Sequence, residues 1–139
     1  MTKDEKQLLL KDLCAMLPYW VFVNVTDSED NRTNYNCLLG TLLSTDILKE
    51  VSSETSSLNY KPYLRPMESM TEEEKEELKN ISTEYIEGWE TAETSIDRWK
   101  LDAKCSAKRA NFYCSHHLDW NGLIEKGLAI AVTEENNPY

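Results

Sequence analysis

Four side chains near the C-terminal end have the chemistry to hold a metal or move a proton: Cys114, His116, His117 and Asp119, with Cys105 further upstream. Thiolate and imidazole are the usual zinc ligands. Cys114 and His117 stand at i and i+3, so a helix would turn both the same way, which makes them the metal candidates. A structural zinc site is normally built from paired Cys-x2-4-Cys or His-x3-5-His units, and the sequence has neither, so no metal and no other cofactor is expected. Cys114, His116, His117 and Asp119 together also suit a small metal-dependent hydrolase or nuclease; a separate reading is general acid–base hydrolysis with His117 as base and Asp119 or Glu125 as its partner. Cys114 beside His116 or His117 would make a nucleophile pair, yet nothing local lowers the thiol pKa. Histidines at a helix C-terminus interact favourably with the last carbonyls, and this structural role outweighs catalysis.

The second chemical feature is a run of glutamates behind a proline-rich arm, YKPYLRPMESMTEEEKEEL at 60–78. Pro62 and Pro66 fix their own φ and push Lys61 and Arg65 toward extended backbone. Thr71 stands three residues before Glu74, the spacing of a capping box, so a helix starts at Glu72. Residues 71–93 carry nine Glu against Lys75 and Lys79, a net of −7. Residues 97–109 carry five basic side chains against Asp97 and Asp102, a net of +3, so the two segments suit antiparallel helices joined by weak surface pairs. An acidic helix face is most simply a solvated one. As a site it is a docking surface for a basic partner, with Glu72, Glu73, Glu76, Glu77 and Glu84 as contacts, and Tyr63 and Arg65 of the arm as an aromatic–Arg hot spot. The alternative for the arm is a belt over the core.

The elements that position these groups read as follows. Thr2 and Glu5 repeat the capping-box spacing, so a helix starts near residue 3, carries Leu9, Leu10, Leu13, Cys14, Met16 and Leu17 on one face, and stops at Pro18. YWVFVNV at 19–25 is a strand, and Tyr35 to Leu43 is a second, with Gly40 as a bulge. Residues 46–51 fit a third strand or one helical turn, and SSETSS at 52–57 a mobile loop. The helix from Glu72 lines up Leu78, Ile81, Tyr85 and Trp89. A helix capped by Thr94 or Ser95 runs to about Leu118, with Trp99, Ala103, Ala107, Ala110, Cys114 and His117 on one stripe. Asp119 caps a short helix that stops at Gly127, LAIAV (128–132) closes the sheet, and a flexible tail begins near residue 133. Trp89 and Trp99 are expected to meet in the core. The sum is a single α+β domain, with a small antiparallel sheet drawn mainly from 19–51 on three or four helices.

Composition bounds the function. At 139 residues the chain can bury a core without disulfides or metal, and its formal charge is −10. So acidic a chain repels nucleic acid, which argues against direct binding to it. No apolar run approaches the roughly 20 residues of a membrane span and no signal peptide is read, so a cytoplasmic setting is expected, with Cys14, Cys37, Cys105 and Cys114 reduced.

Three stretches, KDLCAMLPYWV, YKPYLRPMESMTEEEKEEL and HHLDWNGLIEKGLA, resemble small proteins encoded in phages and prophages of the Bacteroides group of gut bacteria. The likeness covers about a third of the chain. The late motif there has Phe, Tyr and Arg where Leu118, Trp120 and Asn121 stand, and the middle one has Ser at Glu68. The resemblance carries no catalytic residues. It implies a bacterial or phage setting and an accessory role. With the acidic charge, this points to a non-enzymatic protein that binds a protein partner, such as a host nucleic-acid-handling defence enzyme, in the manner of an anti-CRISPR protein. A subunit of a larger structural or regulatory assembly is the remaining alternative.

Overall fold

The computed structural model describes residues 2–42 and 58–139. The helix α1 (Lys3–Met16) is followed by the strands β1 (Phe22–Asp27) and β2 (Asn34–Leu38), the short helix α2 (Leu39–Leu42) and the strand β3 (Leu58–Leu64). Then come two long helices, α3 (Glu72–Thr91) and α4 (Ser95–Ser115), and the two-residue strand β4 (Ile130–Ala131). The α+β class stands. The third strand or turn expected at 46–51 and the loop at 52–57 lie outside the described residues.

The sheet order is β2-β1-β3-β4. Both β2 and β3 run antiparallel to β1, with Asn24 opposite Asn36 on one side and Lys61 on the other. The fourth strand departs from the expected antiparallel pattern: β4 lies parallel to β3 through Tyr63–Ile130 and Leu64–Ala131. The sheet therefore draws on the proline arm and the C-terminal segment as well as on 19–51. Pro62 is tolerated here because of parity. It points the same way as Leu64, whose carbonyl accepts from Val132 N–H on the β4 side, and β4 begins too late to need a donor from Pro62.

Val23 and Val25 of β1, with Val21 just before it, alternate inward and meet Leu9, Leu13 and Met16 of α1, together with Leu39, Tyr60, Leu64, Leu123 and Leu128. The spacing 9, 13, 16 matches the expected apolar face, but Cys14 is exposed and Asp12 is buried in its stead. Both capping boxes form: Thr2 with Glu5, and Thr71 with Glu74. The second strand ends at Leu38, where the backbone turns into α2, so Gly40 is helical and makes no bulge.

The α3–α4 pair departs most from expectation. Against α3, α4 sets Leu101 and Cys105, and Leu101 nestles on Gly88. The Trp99–Ala103–Ala107 stripe faces solvent instead. Trp89 and Trp99 are 43% and 67% exposed and do not join the core. Helix α4 carries two apolar stripes, and the one holding Leu101, Cys105 and Phe112 meets α3 near Ile81 and Gly88.

A Cβ at Gly88 would sit 3.0 Å from both Cδ atoms of Leu101. The end of a leucine can swing aside, and alanine gains about 1 kcal/mol of helix propensity, so Gly88→Ala is expected to leave the melting temperature nearly unchanged. Gly88→Val adds branched bulk against the same side chain and should cost about 1–2 kcal/mol. Thermal unfolding followed by circular dichroism measures both.

Candidate functional site

The expected site residues converge on one turn, where α4 ends against the proline arm. Helix α4 stops in a Schellman motif: His117 N–H donates to the Cys114 carbonyl and Leu118 N–H to that of Tyr113. Glycine usually fills the left-handed position of this motif, but here it is His117, at φ 57°. The reversed chain then pairs with the arm. Arg65 N–H donates to His117 O at 2.7 Å, and Asp119 N–H donates to Arg65 O at 2.9 Å.

The Arg65 side chain completes the joint. Its two terminal nitrogens donate to both oxygens of Glu74, each at 2.8 Å, and further bonds reach His116 O and Ser69 O. Glu74 also accepts from Thr71 N–H as the capping-box residue of α3, and it is buried. The Arg65 guanidinium holds the Glu74 carboxyl down to about 2, against a burial effect that raises it, with the Thr71 amide helping. His116 bridges two carboxylates, with Nδ1 3.1 Å from Glu74 and Nε2 3.3 Å from Glu77.

The other members of the cluster turn elsewhere. His117 stacks on Tyr139, ring centres 4.0 Å apart, and burial lowers its pKa, helped by the neighbouring Arg65 charge, so it is neutral at pH 7. Cys114 is buried beside α1, and that burial raises its thiol pKa. The Asp119 carboxylate accepts from Leu123 N–H and Ile124 N–H, where it organises a string of turns in place of the expected short helix. Gly122 and Gly127 supply the positive φ those turns need. Among the described residues no three His, Cys, Asp or Glu side chains converge as metal ligands. The pair Cys114 and His117, expected to point the same way, is separated by the αL turn.

Tyr63 and Arg65, expected at a partner surface, are engaged within the fold. Tyr63 is buried, and its hydroxyl donates to Asn36. The glutamates divide by helix face. Glu74 turns inward; Glu72 pairs with Lys75, Glu77 with His116 and Glu84 with Lys108. Glu73 and Glu76, with Glu87 and Glu90 further along, are exposed at helical spacing and form no ion pair among the described residues.

Two features escaped sequence reasoning. The first is Asp12, buried on α1 and accepting a hydrogen bond from the Asn121 amide. Burial pushes its carboxyl up to about 6, with the Asp119 charge adding to it. Only its position on the core side of α1, between Leu9 and Leu13, hinted at it. The second is the C-terminal segment, expected to be free. The Tyr139 hydroxyl accepts from Phe22 N–H and donates to Tyr63 O, bridging β1 and β3 where their ladder ends.

Arg65→Ala leaves Glu74 buried without its cation and should cost about 3–5 kcal/mol, whereas Lys75→Ala breaks an exposed pair worth under about 0.5 kcal/mol. Denaturant unfolding compares them. Asp12 and Glu74 also set a pH optimum. From pH 3.8 to about 6 the folded chain keeps a proton on Asp12 that the unfolded chain has lost, so stability falls as pH rises. From 4.5 down to about 2 the unfolded chain takes up a proton that folded Glu74 refuses, so stability falls as pH drops. The melting temperature should therefore peak near about pH 4. Asp12→Asn should flatten the fall on the alkaline side, raising stability at pH 7 by up to roughly 3 kcal/mol. No protein-family model, curated protein or solved structure matches the chain.

Proposed function

We propose that the chain is a non-enzymatic docking protein whose outward α3 face binds a protein partner with a basic surface. The observation that carries this is the division of the glutamates. Those that could serve the fold are paired, while Glu73, Glu76, Glu87 and Glu90 stand exposed along one helix with no cation of their own among the described residues. Unpaired charge of one sign along a rigid helix steers a complementary partner and selects against others. The residues with catalytic chemistry support the same reading from the other side, since His116, His117, Cys114 and Asp119 each have a structural task.

The partner class that fits is an enzyme whose basic groove normally takes a nucleic-acid backbone, since carboxylates along a helix offer that groove the same sign of charge. The resemblance to phage- and prophage-encoded proteins supplies the proposed setting, in which such a partner is a host defence enzyme.

Charge reversal tests it. With the fold checked by circular dichroism, Glu73, Glu76, Glu87 and Glu90 changed together to Lys should lose a partner that wild-type protein captures stoichiometrically from a bacterial lysate at low salt and releases at high salt. Equal capture by the reversed protein would remove the acidic face from the account.

A further inference from the structure

The free end of the α3–α4 hairpin carries a feature that charge alone does not explain. Ile86 and Trp89 on α3 and Ile96 and Trp99 on α4 are 55%, 43%, 58% and 67% exposed, although they lie within a few turns of one another around the connection at 92–94. Single exposed apolar residues are ordinary, but four large ones, two of them tryptophans, flanking one helix connection are not. The patch has some built order: the Arg98 guanidinium lies 4.3 Å over the Trp89 ring, and Thr94 caps α4. Trp99 has no ring partner or hydrogen bond among the described residues.

Charge near the connection is mostly negative. Glu87, Glu90, Glu93 and Asp97 are exposed and form no ion pair among the described residues; of the two cations nearby, Arg98 is spent on Trp89, and Lys100, next to Trp99, is exposed. Resting on the basic-partner reading above, we infer that this tip is the anchoring end of the docking surface. It accepts a cationic amphipathic segment whose large apolar side chains meet Trp89 and Trp99 while flanking Lys or Arg meet the carboxylates. An aromatic centre ringed by charge is the usual anatomy of an interface hot spot. A second copy is the wrong occupant, because tip-to-tip contact would press two rings of carboxylates together.

The probe is a fluorescently labelled amphipathic helical peptide of Leu and Lys, with a Leu and Glu peptide as control, read by anisotropy at low salt. Wild-type protein should bind the cationic peptide saturably and ignore the acidic one. Trp99→Ala alters only an exposed side chain and should weaken binding by about tenfold, as should the Glu87→Gln, Glu90→Gln, Glu93→Gln triple variant. A Glu134→Gln, Glu135→Gln variant in the exposed C-terminal segment, outside the docking face, should leave it unchanged, and a Glu73→Gln, Glu76→Gln variant reports separately on the far end of α3. Undiminished binding by Trp99→Ala overturns the inference, as does equal binding of the acidic peptide. Wild-type dimerisation in sedimentation that Trp99→Ala abolishes, or capture of the tip by zwitterionic lipid vesicles, likewise overturns it in favour of another occupant. Binding that depends on Glu73 and Glu76 but not on Trp99 would sink the tip and leave the acidic face standing; dependence on neither would sink both.

Discussion

Arg65 is the joint through which the sheet, the hairpin and the C-terminal turns are held to one another. Its backbone extends the line of β3 and bridges to His117 and Asp119, and its guanidinium neutralises Glu74 at the first turn of α3. Glu74 is at once the capping-box acceptor and the buried half of the ion pair, so the start of α3 and the path of the arm are a single charge network. A buried carboxylate is costly alone, and the geometry that offsets the cost is the bidentate fork that only arginine supplies. The acidic first turn of α3 is further favoured by the helix dipole.

The same joint draws the side chains that look reactive into separate structural contacts. The Schellman motif sends His116 and His117 to different sides, one between two glutamates and the other under Tyr139. Among the described residues no buried side-chain polar atom lacks a partner. What is left without internal duty is on the outside: a glutamate ridge on α3 and an apolar tip between α3 and α4. Both are the features proposed to bind a partner, and both lie on a hairpin whose α3 packs chiefly on α4, so they are presented away from the main core.

Local signals were legible wherever a few neighbouring residues decide the outcome. Thr2 with Glu5 and Thr71 with Glu74 set two helix starts, and the valines of 21–25 set β1, because cap spacing and period-two burial are near-neighbour chemistry. The arm's role as an inner strand was harder to read, since prolines argue against it and only the parity of Pro62 relative to β4 removes the objection. The stripe of α4 that packs was ambiguous for a different reason. Both candidate stripes have helical period, and the choice between them is made by where α3 lies and by Gly88, which lets Leu101 come close. Tyr139 and Asp12 were out of reach because their partners, Phe22, Tyr63 and Asn121, are each far away in the sequence. The turn at 119–127 shows the same limit in milder form: Asp119 does cap amides, but of a turn series whose path follows from Gly122 and Gly127.

The most direct test of Arg65 and Glu74 as the central joint is the site-resolved titration of the Glu74 side-chain carboxyl by carbon-13 nuclear magnetic resonance. The expected result is a midpoint of about 2, with the side chain ionised throughout the ordinary carboxylate range. A midpoint at or above the ordinary 4.5 would mean that Glu74 is not held by Arg65, and the joint on which this structure is argued to depend would not exist.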